Sequence, residues 1–353
     1  MSAPIPVFDG HNDVLLRLYL TPSQDPVALF LDGGTQGQLD LPRARDGHMV
    51  GGLFAVFPPS PRALADNANS MVPGGYDLPL PPVLSLNDAR ASTVAMVSLL
   101  HRIVRASNGS VALCVSAAEI RAAIDRGALA TVLHVEGCEA IDTDLHFLDV
   151  LHAAGLRSLG PVWSRNNAFG HGVPFRFPSS PDTGPGLTDA GKRLVRACNA
   201  MGILVDLSHI TEKGFWDVAQ LTTAPLVASH SNAHSVTPSA RNLTDRQLDA
   251  IRDSDGLVGL NFATCFLRSD GAMRSDTPLE PMIRHLDALI ERVGETRVAF
   301  GSDFDGALIP RAIGSVAGLP VLIDALRAHG YDDALLTRLG TENWLRVLAA
   351  TIG

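Results

Sequence analysis

Histidines and carboxylates stand at the places where short apolar runs of this sequence end. Three carboxylates packed together repel one another and raise one another's pKa, so such a set is costly unless a cation organises it. Imidazole combined with carboxylate suits zinc or a similar divalent ion. The sequence therefore predicts a metal site formed by six residues, which are His11, Asp13, Glu136, His209, His230 and Asp303.

The number of candidate ligands indicates how many ions are bound. A single catalytic zinc takes about three protein ligands and keeps one open position, whereas six candidates are present here. Two ions about 3.5–4 Å apart, sharing a bridging group, fit this number better. Lys192 and Lys213 are the only lysines, and both fall in predicted helices away from the strand ends. Glu136 is therefore the expected bridge.

Eight short runs of apolar or β-branched residues alternate with helical patterns, which indicates a parallel sheet wound with helices. This is the pattern of a (β/α)8 TIM-type barrel, in which the carboxyl ends of the strands meet at one mouth. We expect residues 1–353 to form a single (β/α)8 metallohydrolase domain. The predicted strands cover residues 6–9, 50–57, 130–136, 156–163, 202–209, 225–230, 256–262 and 297–303.

The segments between these runs complete the predicted architecture. Two long loops rich in Pro, Gly and Asn, at 58–82 and 164–186, follow strands and are expected on the site face. A helical tail at about 331–350 is expected to pack across the bottom or side of the barrel. Asn87, Thr188 and Thr244 are expected to cap helices. The helical candidates are 87–106, 116–126, 144–154, 188–201, 245–253 and 281–293.

Composition excludes several classes of partner. The 353 residues are 46% hydrophobic and carry 28 Lys+Arg against 37 Asp+Glu, a formal net charge of -9. Nucleic acid and anionic membranes are therefore not expected partners. The four cysteines lie far apart, the first residues lack the pattern of a secretory signal, and no apolar stretch approaches about 18 residues. We expect a cytoplasmic protein with reduced thiols.

The motifs DGHND, HVEG, DLSHI, ASHSNAHSV followed by ARN, and GSDFDG occur in this order along the chain. Their order and spacing resemble those of the renal (membrane) dipeptidase family of binuclear zinc peptidases, within the amidohydrolase superfamily. The resemblance spans nearly the whole chain, and the combined set is specific although each motif alone is weak. It implies two Zn²⁺ per chain, with His11 and Asp13 on one ion, Glu136 bridging both, and His209 and His230 on the other.

The resemblance also implies two roles beyond metal binding. Asp303 would be the acid/base beside the first zinc, and Arg241 would anchor the carboxylate of the substrate. Taken alone, Arg241 could equally be a surface ion-pair partner, because arginine is abundant in this chain.

The chain departs from the family pattern in the residues expected to meet the substrate. Family members usually carry a histidine at the end of strand four that helps hold the tetrahedral intermediate, and Trp163 stands there in this chain. Many members have a tyrosine after the Asn-Phe of strand seven, where this chain has Ala263. We expect Trp163 to line the substrate pocket and set specificity. His171, in the long loop after strand four, is the alternative replacement for the missing histidine.

These observations favour a zinc-dependent dipeptidase in which a metal-bridging hydroxide attacks the scissile carbonyl. Fold and metals do not fix the substrate, so hydrolysis of another amide or a lactone, such as an N-acyl amino acid, is one alternative. A non-catalytic metal-binding relative is the other, motivated by Trp163, and retention of Asp303 argues against it. A small-molecule dipeptide is the expected partner. The native metal, the side-chain and stereochemical preference and any homo-oligomer are left open by the sequence.

Single histidines are weaker evidence than the set. Any one of His11, His209 or His230 alone would more often be a hydrogen-bonded structural residue than a ligand. His134 and His234 lie beside proposed ligands and are the likeliest misassignments. We expect His134 to lie deeper in the core and His234 to lie beyond its strand.

Overall fold

The computed structural model describes residues 3–21, 25–60 and 70–353. Its central feature is a ring of eight parallel strands, one inside or overlapping each predicted run, which confirms the predicted (β/α)8 barrel. In chain order the strands are β1 Val7–Asn12, β2 Met49–Val56, β3 Leu129–Glu136, β4 Leu156–Gly160, β5 Leu204–Val205, β6 Val227–Ala228, β7 Leu257–Leu260 and β8 Val298–Phe300.

The strands pair in two ladders that meet at two seams. Strands β1 to β5 pair in chain order, and β6 to β8 form the second ladder. Single parallel bridges between Asn12 and Phe304 and between Asp206 and Val227 join the ladders. The ring is thereby closed, so none of its strands is left as an unpaired edge. A further short strand, Val111–Leu113, pairs with the first residues of β3.

Buried aspartates fasten both seams in the same way. Asp9 accepts hydrogen bonds from the backbone N–H and the hydroxyl of Ser302, at 2.7 and 2.8 Å. Asp206 accepts the same pair of bonds from Ser229, at 2.7 and 2.6 Å. In each seam the residue that follows the serine is a predicted site residue. The bonds that close the barrel therefore also fix the backbone beside the site.

Several strands end earlier than predicted. The run predicted at 202–209 contains only the two paired residues of β5, and the run at 297–303 ends as a strand at the close of β8. His209 and Asp303 have φ angles of 67° and 64°, in the left-handed region, so neither can continue an extended strand. These two predicted C-terminal bounds were wrong because His209 and Asp303 lie on turns just beyond the ladder.

The predicted helices are all present within a few residues of their expected bounds. Thr188 and Thr244 cap helices as predicted, and Gln247 completes a capping box with Thr244. Asn87 does not cap, because Ser85 accepts the hydrogen bond that closes the first turn. The α-helices are Val14–Tyr19, Pro26–Leu31, Leu41–Asp46, Leu86–Ala106, Ala117–Asp125, His146–Ala153, Asp189–Met201, Glu212–Leu221, Asp245–Asp253, Thr264–Leu267, Glu280–Val293, Leu319–His329, Asp333–Thr337 and Asn343–Thr351.

The C-terminal tail closes the bottom of the barrel. Trp344, at the start of the last helix, is buried in one apolar cluster with residues from seven of the eight barrel strands. Its indole N–H donates to the Phe300 carbonyl at 2.9 Å. A Cβ at Gly10 would overlap the indole ring, so only glycine lets the ring lie against β1. The tail was expected across the bottom or side, and it lies at the bottom.

The two long loops meet each other over the other end of the barrel. Tyr76–Asp77 of the first loop pairs in antiparallel fashion with Arg176–Phe177 of the second. Residues 61–69 of the first loop lie outside the described residues.

Within the described parts of the chain, none of the helices combines the length and apolar character that crossing a bilayer requires.

One buried histidine gives the fold a pH dependence. His285 accepts a hydrogen bond from the backbone N–H of Ala233 at 3.2 Å, and its other ring nitrogen lies 3.2 Å from the carbonyl oxygen of Leu267. Burial lowers the pKa of His285 from 6.5 to about 4. The unfolded chain therefore takes up a proton below pH 6.5 that the folded chain does not bind, and stability falls as pH drops toward 4.

We expect the unfolding free energy of the wild type, relative to that of His285→Gln, to fall by about 1.4 kcal/mol per pH unit below pH 6.5. The glutamine keeps a donor and an acceptor but does not titrate. Urea unfolding of both proteins at several pH values between about 7 and 4.5 measures the difference, and effects shared by both proteins cancel. Parallel stability curves would show that His285 is not the titrating group.

Candidate active site

The predicted ligands converge at the carboxyl ends of the strands. His11 lies on β1, and Asp13 precedes the first helix as its N-cap, with His11 Nε2 3.4 Å from Asp13 Oδ2. Glu136 is the last residue of β3. His209 and His230 follow β5 and β6 on short turns. All five side chains are at least nine-tenths buried.

One carboxylate oxygen is the centre of this cluster. Glu136 Oε1 lies 3.1 Å from the Nε2 of His209, 3.4 Å from that of His230 and 3.7 Å from that of His11. Three imidazoles therefore point the same ring nitrogen at a single atom. Glu136 is the residue that both halves of the predicted site share.

Hydrogen bonds behind two histidines fix which ring nitrogen faces the site. The hydroxyl of Ser229 donates to Asp206, so it accepts from Nδ1–H of the neighbouring His230, at 2.7 Å. Ser164 Oγ lies 2.8 Å from Nδ1 of His209. With its proton on Nδ1, His230 presents an Nε2 lone pair, and Nε2 of His209 lies 3.1 Å away. Such second-layer bonds are typical of metal-binding histidines.

The unpartnered polar atoms of the cluster fit a divalent cation. Both ring nitrogens of His11 and Oδ1 of Asp13 are buried without a hydrogen-bond partner. Burial by itself would lower the pKa of His11, but the Glu136 and Asp13 carboxylates outweigh it and raise that pKa to about 10. Burial raises the pKa of Glu136 well above its ordinary value. Nitrogen and oxygen donors this close and this poorly satisfied need a positive charge among them.

Asp303 lies on the His11 side of the cluster. A carboxylate oxygen of Asp303 lies within 4.8 Å of a ring nitrogen of His11 and of a carboxylate oxygen of Asp13. The side-chain amide of Asn261 donates to its Oδ2 at 3.0 Å, and burial raises its pKa. A Cβ at Gly306 would overlap the carboxylates of both Asp13 and Asp303, so the turn needs glycine there.

Arg241 is buried beside the cluster without an ion pair. Its Nη2 donates to the His230 carbonyl at 3.2 Å, and its Nη1 lies 3.5 Å from Ser231 Oγ. The guanidinium lies 5.3 Å from the centroid of the Phe266 ring, and its Nε has no partner. Among the residues that the structure describes, no carboxylate pairs with it. A buried cation in this state is suited to bind an anion that comes from outside the protein.

A cavity of about 280 Å³ opens directly onto the carboxylates of the cluster. Its other walls are mostly apolar. Trp163 is one wall, with the Phe57 ring 4.9 Å and the Phe175 ring 5.6 Å from its own. Trp163 therefore lines the cavity beside the cluster. The lining also includes Leu16, Met71, Ala263, Cys265, Phe266, Met273, Ala307 and Leu308.

The histidines that the sequence left open lie outside the Glu136 cluster. His134 is buried below it, with Nδ1 2.8 Å from Ser158 Oγ, as expected for a core residue. His171 bonds the Gly186 carbonyl at 2.9 Å and is not among the residues that line the described cavity. His234 bonds a loop carbonyl beyond its strand.

Three buried polar residues that hold candidate site residues in place were not predicted from the sequence. Asp206, Ser229 and Asn261 are buried and polar, and each bonds a site residue or the serine beside one. Asp206 could have been noticed as a carboxylate inside an apolar strand run with no basic neighbour. The roles of Ser229 and Asn261 depend on contacts between different strands, which no local pattern records.

A closed (β/α)8 barrel that gathers imidazoles and carboxylates at the C-terminal ends of its strands has the architecture of the amidohydrolase-type metal hydrolases. The sequence profile of the membrane dipeptidase family, Peptidase family M19, matches residues 1–352, and the chain belongs to that family. It is therefore a metallopeptidase, a hydrolase of peptide bonds, as the sequence predicted.

Two solved structures and one relative are similar to this chain over most of its length. A metallopeptidase from Rhodobacter sphaeroides, liganded with a phosphinate mimic of the dipeptide L-Ala-D-Ala, is 54% identical, with a TM-score of 0.97 over 99% of this chain and 100% of its own. A structure described as dipeptidase AC, a metallopeptidase of family M19, gives the same values. An uncharacterized protein of Klebsiella pneumoniae is 52% identical over 71% of this chain and 93% of its own length.

Proposed function

We propose that this protein hydrolyses free dipeptides at a site that holds two zinc ions. His11 and Asp13 would bind one ion, His209 and His230 the other, and Glu136 both. The observation that carries this proposal is the convergence of three Nε2 atoms on Glu136 Oε1. When bound, such ions polarise a peptide carbonyl and lower the pKa of water enough to make it a nucleophile at neutral pH.

The chain's own residues would handle protons and orientation. Asp303 is the one carboxylate of the cluster that this assignment leaves free of metal, and it lies at the cavity wall. We assign it the acid/base role: it takes a proton from the attacking water and delivers it to the leaving amine. Asn261 would keep its carboxylate aimed at the reacting groups through the 3.0 Å bond to Oδ2.

Arg241 and Trp163 would select the substrate. The unpaired guanidinium of Arg241 fits the C-terminal carboxylate of a dipeptide, which a planar fork of donors can bind through two parallel bonds. Trp163 would contact a substrate side chain and favour apolar ones.

We also propose that residues 1–353 act as one domain, because the last helix closes the barrel that the first strand begins.

The proposal is tested by turnover of a dipeptide panel with zinc-loaded protein, run beside N-acyl amino acids and lactones. We expect the dipeptides to be the best substrates and a chelator to abolish their turnover. Faster hydrolysis of N-acyl amino acids or lactones would replace the dipeptide assignment with the corresponding activity. Metal-loaded protein that turns over none of these compounds would instead support a non-catalytic metal-binding protein.

Arg241→Met is expected to lower kcat/KM on free dipeptides by about 10²-fold or more, as expected when a buried charged hydrogen-bond pair to the substrate is lost. The same change should affect the C-terminal amides of those dipeptides far less, because they carry no carboxylate. Steady-state kinetics on matched acid and amide substrates measure the difference. Equal losses on both substrates would show that Arg241 acts elsewhere.

A further inference from the structure

Arg165 is a buried arginine next to the cavity. It takes no part in the proposed metal binding, proton transfer or substrate binding. Its side chain has no solvent exposure, and Nε donates to Glu139 Oε1 at 2.9 Å. Nη1 donates to Ser60 Oγ at 2.8 Å, and Nη2 donates to the Pro58 carbonyl at 2.9 Å. The guanidinium thereby joins the loops that follow β2, β3 and β4, which all border the site.

The same guanidinium supports the aromatic wall of the cavity. It lies 5.4 Å from the centroid of the Phe57 ring and 5.7 Å from that of the Trp163 ring, within the range of cation–π attraction. Phe57 and Trp163 both line the cavity, whereas Arg165 does not. It therefore acts on the cavity only through the two rings and the loops it ties down.

The geometry leaves the wall few ways to rearrange. A planar guanidinium with three directed bonds has one orientation, so the rings that lie against it are fixed as well. A Cβ at Gly172 would overlap the Trp163 carbonyl, so the neighbouring loop also holds the tryptophan backbone closely. Lysine, the nearest substitute, carries all its donors on one nitrogen and could not reach the three separate acceptors.

We propose that Arg165 is a positioning residue that holds Phe57 and Trp163 as one wall of the substrate cavity. The Arg165–Glu139 pair thereby sets a preference for bulky apolar side chains over glycine in the substrate residue that meets this wall. The inference rests on the proposed dipeptidase function. A large side chain gains apolar contact only while the wall stays in place, whereas glycine does not reach it and loses nothing when the wall moves.

The test removes both charges together, because leaving one buried charge unpaired would destabilise the fold for another reason. Glu139→Gln/Arg165→Met keeps the length of both side chains. The matched control is Glu280→Gln/Arg284→Met, a pair of the same residue types at 3.1 Å on an exposed helix face. The substrates are two dipeptide series in which one position is alanine and the other changes from glycine to leucine to phenylalanine.

We expect the ratio of kcat/KM for leucine over glycine to fall about ten-fold in the double variant, mainly through KM, in the series that the wild type discriminates. Metal content and turnover of the glycine substrate should stay close to wild type, and the control pair should change nothing. An unchanged ratio, or an equal loss on every substrate, would overturn the proposal.

A second readout does not depend on turnover. Acrylamide quenching of Trp163 fluorescence, isolated by subtracting the matching Trp163→Phe protein, should increase in the double variant and not in the control. Unchanged quenching would contradict the positioning role of Arg165. If the wild type hydrolysed no dipeptide, that result would refute the proposed function, and the quenching experiment would still test the positioning role. If the double variant does not fold, Arg165→Lys, which keeps the buried charge pair, should shift both readouts in the same direction.

Discussion

Replacement of Asp303 by asparagine is expected to lower kcat on dipeptides by about 10²- to 10⁴-fold, the usual contribution of a general acid/base. Metal content should stay at the wild-type level, because the proposed ligand set does not need Asp303. Asparagine has nearly the same shape and keeps an oxygen that can accept the bond from Asn261. Only the capacity to carry a proton is lost.

Elemental analysis and steady-state kinetics on the same preparation measure this prediction. Asp287→Asn is the matched control, since that aspartate lies on an exposed helix face away from the site and should leave kcat unchanged. Near-wild-type turnover in the Asp303 variant would show that another group moves the proton. Loss of metal together with activity would instead make Asp303 a ligand.

Replacement of Glu136 by alanine has the other large expected effect. The change removes the one oxygen that three imidazoles share, so the variant should lose its bound ions and its dipeptide turnover together. The loss should reach the level of the metal-free wild type, because the remaining ligands on each side are too few to hold an ion tightly.

Glu280→Ala is the matched control for this loss. It removes a glutamate from an exposed helix face and should keep metal and activity. Metal analysis after dialysis, with circular dichroism to verify folding, measures the outcome. A Glu136 variant that still holds the wild-type number of ions would disprove the bridging assignment.

Much of the barrel and the set of candidate ligands could be predicted from local patterns. Apolar runs alternate with helical ones, and in a parallel barrel every strand ends at the same mouth, so the residue types at the run ends predict the site. Glu136 and His230 were predicted at the same mouth of the barrel in this way, because each stands at the end of a predicted strand. The same argument placed the loops 58–82 and 164–186 above the site.

The features that were predicted wrongly, or not predicted at all, depend on contacts between segments that are far apart in the sequence. Asp303 was predicted as the end of a strand, but β8 ends at Phe300 and Asp303 itself adopts the left-handed conformation. Asp206 closes a seam with a serine 23 residues away, and Arg165 bonds an oxygen 107 residues away. Neither partner can be recognised from the sequence beside it. A cytoplasmic location stays a prediction.

Titration of chelator-treated protein with Zn²⁺, following dipeptide turnover against ions bound per chain, tests whether the site works as a two-zinc dipeptidase centre. We expect turnover to require the metal and to reach its maximum only when about two ions are bound. Full turnover with a single ion bound, or turnover that survives removal of all metal, would contradict it.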